Sequence, residues 1–214
     1  MPITTESPKT SPSRRKPPSL GALSLAAAGM ALAVLLIGSG TFLWLGESGG
    51  GGSVSIGGPF TLTEGSGKQV TDRDFRGKYL LVYFGYTYCP DVCPTTLNEV
   101  ATAMDKLGPK AARLQPLFIT VDPARDTPDV VKAFTTAFSP KLIGLTGTQA
   151  EIATVTREYR VYYAINRTGK GSNDYTVDHS SVLYLMGPDG KFIAPIRTDE
   201  TGAEIAATIS KYVS

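Results

Sequence analysis

The side chains with the greatest capacity for chemistry in this chain are two cysteines and one histidine, the only residues of either type. Cys89 and Cys93 lie in the segment 85–94 (GYTYCPDVCP), and His179 lies far along the chain. Thiolates select soft ions such as copper(I), and imidazole suits copper, zinc and nickel. Two sulfurs and one imidazole therefore predict a site for one copper ion, in either the Cu(I) or the Cu(II) state.

The spacing of the two cysteines supports a shared site. In a helix, residues four apart lie on the same face, so Cys89 and Cys93 can present both sulfurs to one point. The N-terminus of a helix favours negative charge, which lowers the thiol pKa and supplies thiolate at neutral pH. Pro90 and Pro94 suit the start of such a helix. His179 must come from elsewhere in the fold to complete the site.

The same residues also have simpler interpretations. The cysteines can form a plain structural disulfide in an oxidising compartment, although closing so short a loop stabilises a fold by only about 2 kcal/mol. A lone histidine is usually a hydrogen-bonding or surface residue, so the residue types leave both roles open for His179. Met104 and Met186 offer soft sulfur but lie in apolar patterns typical of a core. Tyr86 and Tyr88 are expected to pack around the site or shield it.

Strand and helix patterns alternate through the region that contains these residues. The apolar run 79–84 predicts a buried strand before the cysteine segment, and the periodic stretch from Thr95 predicts a helix after it. Further strands are predicted at 117–121, 142–145, 161–165, 181–186 and 191–196, and further helices from Thr127, Thr148 and Ala203.

This order of elements predicts an α/β fold, a thioredoxin-like mixed sheet with flanking helices. The cysteines would lie at the end of the first core strand and the start of its helix. The segment 187–190 (GPDG) predicts a hairpin between the last two strands. His179 would lie at the foot of the first hairpin strand, which in a thioredoxin-like sheet runs beside the cysteine loop.

An uncharged apolar segment at 20–45 precedes this domain and predicts a single transmembrane helix. Its 26 residues are enough to cross about 30 Å of hydrocarbon. Four cations precede it in the tail at 1–19, and the next cation is Lys68. The positive-inside rule therefore places the tail in the cytoplasm and the remainder beyond the membrane. A cleaved signal peptide is the alternative, but the run exceeds an h-region of about 7–15 residues and no A-x-A-like site closes it.

The rest of the chain divides into a linker and one domain. Residues 46–58 are rich in Gly and Ser and predict a flexible linker, and 59–214 is long enough for a single core. The chain carries a formal net charge of +2, yet the part after residue 46 contains seventeen cations and eighteen acids. This near-neutral domain gives no indication of nucleic-acid binding. The short N-terminal tail favours a bacterial inner membrane, with a periplasmic domain, over a mitochondrial one.

Three segments resemble the signatures of the Sco/SenC family. They are 85–94 (GYTYCPDVCP), 121–128 (VDPARDTP) and 177–180 (VDHS), the last followed by 184–190 (YLMGPDG). The family comprises membrane-anchored copper proteins with a thioredoxin fold that take part in assembling cytochrome c oxidase. The resemblance covers essentially all of the exported domain. It implies Cys89, Cys93 and His179 as copper ligands. It also implies that Asp122, which is not a ligand, supports the site by orienting the ligands or through its negative charge.

The resemblance implies a metallochaperone rather than an enzyme. Such a protein would pass one copper ion by ligand exchange to the dinuclear copper site of cytochrome c oxidase subunit II, with another periplasmic copper chaperone as a candidate donor. Two other classes stay open. One is a thiol–disulfide oxidoreductase that uses Cys89 and Cys93 as a redox dithiol to reduce the target's cysteine pair. The other is a copper or redox sensor. The C-x-x-x-C spacing weakens a general oxidoreductase, which is typically C-x-x-C.

Overall fold

The computed structural model describes residues 55–213, in which nine strands and four α-helices follow one another. The strands are β1 (Thr61–Glu64), β2 (Gln69–Thr71), β3 (Tyr79–Gly85), β4 (Leu114–Thr120), β5 (Ile143–Thr146), β6 (Tyr163–Arg167), β7 (Tyr175–His179), β8 (Val182–Met186) and β9 (Phe192–Arg197). The α-helices are α1 (Val92–Leu107), α2 (Pro128–Thr136), α3 (Gln149–Glu158) and α4 (Gly202–Ser210). The same region contains two short 3-10 helices, Asp72–Phe75 and Gly108–Arg113.

Seven of these strands form one mixed sheet, in the order β2-β1-β5-β4-β3-β8-β9. Strand β3 pairs in parallel with β4 and antiparallel with β8, and β4 pairs in parallel with β5. Strands β8 and β9 form the predicted hairpin. Strands β6 and β7 pair only with each other, in a separate two-stranded antiparallel sheet. The predicted α/β class and thioredoxin-like mixed sheet are confirmed for the described residues.

Each face of the large sheet has its own layer of buried apolar side chains. Along β3, Leu81 and Tyr83 belong to one cluster, while Val82 and Phe84 belong to the other. This alternation follows from the period of two in a strand. Helices α1, α2 and α4 contribute to the first cluster and α3 to the second, so that helices flank both faces. Both faces of β3 are apolar because both are covered.

Helix α1 begins three residues earlier than the sequence pattern predicted and includes Cys93 in its first turn. Its buried stripe recurs at intervals of three and four residues, which keeps it on one face of the helix. The stripe runs through Cys93, Leu97, Val100, Met104 and Leu107, with Thr96 and Ala103 buried beside it. Cys93 therefore occupies the first position of an apolar face, and its burial follows from the helical period.

The other predicted elements also occur, with ends shifted by a few residues. Thr127 is the N-cap of α2, with Pro128 as its first residue, and Thr148 and Glu151 form a capping box at the start of α3. Strands β1, β2 and β7 were not predicted. They are three to five residues long and each contains a single buried residue, so none of them has an apolar run long enough to be recognised.

The predicted tail at 1–19 and membrane anchor at 20–45 lie outside the described residues, as does most of the predicted linker at 46–58. None of the helices within 55–213 combines the length and the apolar character that crossing a bilayer requires. At the linker's end, Gly57 donates a backbone hydrogen bond to the Glu158 carbonyl at 2.8 Å, and Ile56 packs against the core. These residues therefore belong structurally with the domain that follows them.

Candidate metal centre

The cysteine segment connects the end of β3 to the start of α1. Strand β3 ends at Gly85 and α1 begins at Val92, so Cys89 lies in the loop and Cys93 is the second helical residue. The expectation that both cysteines lie on one helical face is therefore wrong. The loop instead turns so that the Cys89 sulfur accepts a hydrogen bond from the Cys93 backbone N–H at 3.4 Å. This N–H has no partner within its helix and favours negative charge on the sulfur.

The Cys93 sulfur lies in a tightly packed space beneath the loop. Cys93 is fully buried, and the Tyr83 hydroxyl donates a hydrogen bond to its Sγ at 3.6 Å. A Cβ atom at Gly85 would lie 2.8 Å from that sulfur and 2.9 Å from the Phe118 ring. Real Cβ atoms essentially never come so close to other heavy atoms. Glycine at the end of β3 therefore provides the room that the sulfur occupies.

His179 reaches the cysteines from the second sheet. It is the last residue of β7, where it pairs with Tyr163 of β6. The hairpin strand β8 does begin three residues later, at Val182, and pairs with β3, but the sequence did not predict that His179 itself belongs to a strand of the other sheet. Residues 175–179 form their own strand against β6. The hairpin β6–β7 therefore determines the position of the imidazole.

One hydrogen bond identifies the protonated nitrogen of the His179 ring. Its Nδ1 lies 3.2 Å from the carbonyl oxygen of Ser180. A carbonyl oxygen can only accept, so Nδ1 carries a proton, and in the neutral imidazole Nε2 then presents a lone pair. Nε2 lies 3.5 Å from the Cys93 sulfur. This is the tautomer that a metal ligand requires, with the other nitrogen anchored to the backbone.

Two tyrosine rings fix the plane of the imidazole. Tyr83 and Tyr86 both meet His179 edge-on, with ring centroids 6.0 Å and 6.1 Å away. Tyr86 is buried, as expected for a packing residue, whereas Tyr88 is 61% exposed beside Cys89. Tyr86 therefore shields the histidine side of the group, and the cysteine loop keeps one face open to solvent.

The three predicted ligands come together in space. One sulfur from each cysteine and one ring nitrogen of His179 all lie within 4.8 Å of one another, the only such group among the described residues. A three-coordinate ion with bonds of about 2.0–2.3 Å separates its ligands by roughly 3.5–4 Å. The group is therefore close to the size that one ion requires, and its two sulfurs and one imidazole could bind one copper. Met104 and Met186 are buried in the core, as expected.

The two thiols have opposite pKa shifts. Hydrogen bonds from the Cys93 thiol and from the Cys93 N–H lower the pKa of Cys89 to about 4. The hydrogen bond that the thiol donates also raises the pKa of Cys93, and burial raises it further. Both cysteines are free thiols in the structure, so the predicted disulfide stays a prediction. At neutral pH the pair therefore shares one proton, with the negative charge on the more exposed sulfur.

Asp122 follows β4 but does not touch the three ligands directly. Its carboxylate accepts hydrogen bonds from Arg125 Nε at 2.5 Å and from the Tyr175 hydroxyl at 2.8 Å. Tyr175 begins β7, the strand that ends at His179. Asp122 can therefore influence the three ligands only through Arg125 and Tyr175.

Asp126, in the same loop, contacts the cysteine segment. This buried carboxylate accepts from the Thr87 N–H at 2.9 Å, the Thr87 hydroxyl at 2.6 Å and the Thr120 hydroxyl at 2.5 Å. Burial raises its pKa. Asp126 and Arg125 both lie in the segment 121–128, and that membership is the signal by which the sequence could have identified them. Nothing in the sequence distinguished Tyr175.

This chain is similar to proteins of one known family. The family model described as SCO1/SenC matches residues 49–214. The human mitochondrial SCO1 homolog is 43% identical over 164 residues, which are 76% of this chain and 54% of that protein. Protein SenC of Rhodobacter capsulatus is 45% identical over 164 residues, 77% of this chain and 73% of that protein. The chain spans about half the length of its mitochondrial relatives.

A solved structure extends the similarity to the fold. ScoI of Bradyrhizobium japonicum, determined with copper bound, is 46% identical and superposes with a TM-score of 0.68. The similarity covers 74% of this chain and 99% of that one. Relatives with this fold thus crystallise with copper, and the described residues here contain a group of two cysteines and one histidine that could bind one copper ion.

Proposed function

Because the chain belongs to the SCO1/SenC family, we propose that it carries copper as cargo in the assembly of cytochrome c oxidase. Its relatives include copper-bound ScoI and Protein SenC. One observation carries the proposal: Cys89, Cys93 and His179 bring three soft or borderline donors within 4.8 Å. These residues would be the copper ligands, with one ion per domain.

The unequal exposure of the ligands suits release of the ion. Cys93 is held in the first turn of α1 and His179 is anchored through Nδ1, whereas Cys89 lies on a partly exposed loop. An incoming thiolate or imidazole from an acceptor would approach on the Cys89 side. Cys89 would therefore be the ligand replaced first, and the ion would pass on by stepwise ligand exchange.

The proposed acceptor is the dinuclear copper site of cytochrome c oxidase subunit II, with another periplasmic copper chaperone as a candidate donor. Residues 20–45 would anchor the chain in a bacterial inner membrane, with 1–19 in the cytoplasm and the domain at 59–214 in the periplasm. The linker residues 46–54, which precede the described domain, would give the domain a reach of roughly 15–18 Å above the bilayer. This arrangement keeps the carrier close to a membrane-bound acceptor.

The test titrates the full chain, purified in detergent with reduced thiols, separately with Cu(I) and Cu(II). We expect one ion per chain in the wild type and loss of tight binding in Cys89→Ser, Cys93→Ser and His179→Ala. Met104→Leu is the matched control, because it removes a soft sulfur that is buried in the core. The loaded chain is then mixed with the metal-free copper domain of subunit II, and copper is measured on each protein after separation. Tight binding by a cysteine variant, or no transfer, would contradict the proposal.

A second candidate function is reduction of a disulfide in the acceptor. The unequal cysteines favour it, since a more exposed sulfur with a lowered pKa beside a buried thiol suits attack followed by resolution. Cys89 would attack the target disulfide, and Cys93 would then release the target as a dithiol, leaving the pair oxidised. His179→Ala separates the two functions, because it removes a copper ligand but retains both thiols. Unchanged disulfide exchange in that variant, with copper binding lost, would show that the two activities are independent.

A further inference from the structure

We propose that Arg125 is a positioning residue that holds His179 at the copper site by clamping strand β7 to the cysteine loop. The inference rests on the proposed function, in which His179 is a ligand. It concerns a residue that touches none of the three donors but contacts both segments that supply them. We refer to Arg125 with Asp122 and Tyr175 as the clamp.

The first part of the argument is the contact between Arg125 and β7. The guanidinium Nη1 donates hydrogen bonds to the carbonyl oxygens of Tyr175 at 3.1 Å and Asn173 at 3.3 Å. Its Cζ also lies 3.6 Å from the centroid of the Tyr175 ring. Arg125 therefore holds the first residue of β7 by both backbone and side chain, four residues before His179.

The second part is the contact between Arg125 and the cysteine loop. The same Cζ lies 4.8 Å from the Tyr88 ring centroid and 5.7 Å from that of Tyr86. Tyr88 adjoins Cys89, and Tyr86 meets the His179 imidazole edge-on. A cation over several aromatic faces is attracted to each of them. One side chain thus links the segment that carries the thiols to the strand that carries the imidazole.

The third part is the rigidity of Arg125 itself. Its side chain is 7% exposed and its Nε bonds Asp122, which is 2% exposed. Asp122 also accepts from the Tyr175 hydroxyl, which closes the clamp. Within the described residues, the Arg125 Nη2 atom is buried without a hydrogen-bond partner, which lowers stability. The benefit that offsets this loss is that Arg125 holds two distant segments of the chain in register.

The fourth part is that β7 needs external support. It pairs only with β6, in a sheet of two strands separate from the seven-stranded one. An isolated two-stranded hairpin is marginally stable in water. The outer part of β6 is exposed, including Ile165 at 54%. The 3.5 Å approach of His179 Nε2 to the Cys93 sulfur therefore depends on contacts such as those of Arg125.

The test is a double-mutant cycle on copper affinity, measured with Cu(I) on the full chain in detergent. Arg125→Gln is made in the wild type and in His179→Ala. We expect Arg125→Gln to weaken copper binding by about ten- to hundred-fold in the wild type. In the His179→Ala background the same change should leave the affinity unaltered, because the residue through which the clamp acts is gone. In the Cu(II)-loaded Arg125→Gln variant, the electron paramagnetic resonance spectrum should lose the coupling to an imidazole nitrogen.

Arg113→Gln is the matched control. Arg113 also stands over a tyrosine ring, at 5.9 Å from Tyr79, but at the opposite end of β3 from the cysteine loop. Its substitution should not change copper affinity. Arg125→Lys, which keeps the charge but not the planar fork, should recover only part of the loss.

The outcomes separate the two proposals. An equal loss in both backgrounds, or no loss in the wild type, would overturn the clamp while leaving the copper site intact. If His179→Ala does not change copper affinity, the proposed copper site is wrong and the clamp proposal is wrong with it.

If Arg125→Gln does not fold, Tyr175→Phe replaces it in the cycle, since this change removes only the hydroxyl that bonds Asp122. That variant must weaken copper binding only when His179 is present.

Discussion

At the scale of single residues, the centre depends on how unlike its two cysteines are. Cys93 is buried, its thiol donates to Cys89, and its pKa is raised, whereas the pKa of Cys89 is lowered. One negative charge is therefore ready for a cation before copper arrives. The second proton leaves only when the ion binds, because burial opposes a second thiolate in the absence of a cation.

This asymmetry predicts the order in which the thiols react. Because the pKa of Cys89 lies below its ordinary value, iodoacetamide should modify Cys89 first, and the rate should fall only in acid. Cys93→Ala removes the donor, so the pKa of Cys89 should rise and alkylation near neutral pH should slow. The measurement is thiolate absorbance against pH, with mass spectrometry to identify the modified cysteine. Preferential modification of Cys93 would contradict the assignment.

Gly85 gives a second prediction at this scale. A methyl group in Gly85→Ala would push against the Cys93 sulfur and the Phe118 ring, so we expect a destabilisation of about 1–3 kcal/mol together with weaker copper binding. Denaturant unfolding and copper titration measure the two effects. Gly144→Ala is the control, since its Cβ would lie 2.4 Å from Val131, outside the metal centre. Gly144→Ala should lower stability without weakening copper binding. If it weakened copper binding as much as Gly85→Ala does, the effect of Gly85→Ala would not be specific to the metal centre.

At the scale of elements, three segments meet at the centre and the loop 122–126 lies between them. Strand β3 and helix α1 deliver the cysteines, and the hairpin β6–β7 delivers the histidine. Arg125 contacts the hairpin, and Asp126 holds Thr87 of the cysteine loop. The ligand geometry therefore depends on a loop that contains no ligand.

Thr87→Val tests the support of the cysteine loop. It removes the hydroxyl that donates to the buried Asp126 at 2.6 Å, so the free energy of unfolding should fall by about 1.5–3 kcal/mol. Copper affinity should fall as well, because the loop that carries Cys89 loses an anchor. Thr95→Val is the control, because it removes an exposed hydrogen bond of 3.3 Å to Asp91, and it should change stability and copper affinity very little. Equal losses in the two variants, measured by denaturation and copper titration, would contradict the prediction.

At the scale of the whole molecule, residues 55–213 contain both core clusters and all three proposed ligands. The matched family region begins at residue 49, close to where the described structure begins. This region is therefore the part of the chain expected to bind the ion, and the preceding segments would decide where it does so.

The fragment 55–213 is expected to fold alone, to unfold cooperatively and to bind one copper ion. A fragment that begins at residue 59 should be less stable, because it lacks the Gly57–Glu158 backbone hydrogen bond and the packing of Ile56. Calorimetry of the two fragments measures the difference. An insoluble or molten fragment 55–213 would show that the preceding residues are needed for folding, and equal melting temperatures would show that residues 55–58 add nothing.

Much of this arrangement could be predicted from local pattern alone. The apolar run of β3, the helical periodicity of α1 and the helix start at Thr148 are properties of neighbouring residues. Each therefore stood out in the sequence, with errors of a few residues at the ends. The donor set was equally plain, since the chain contains only two cysteines and one histidine. The sequence by itself thus determined the fold class and which side chains could bind a soft metal.

Only the tertiary structure decided how those side chains meet. His179 and Cys93 are 86 residues apart in the chain, and their approach depends on the short strand β7, whose pattern is too brief to recognise. The link from Arg125 to Tyr175 joins residues 50 apart through a backbone carbonyl and a ring face. Such contacts depend on packing between distant segments. Local periodicity carries no information about them, so the clamp and the imidazole tautomer became visible only in three dimensions.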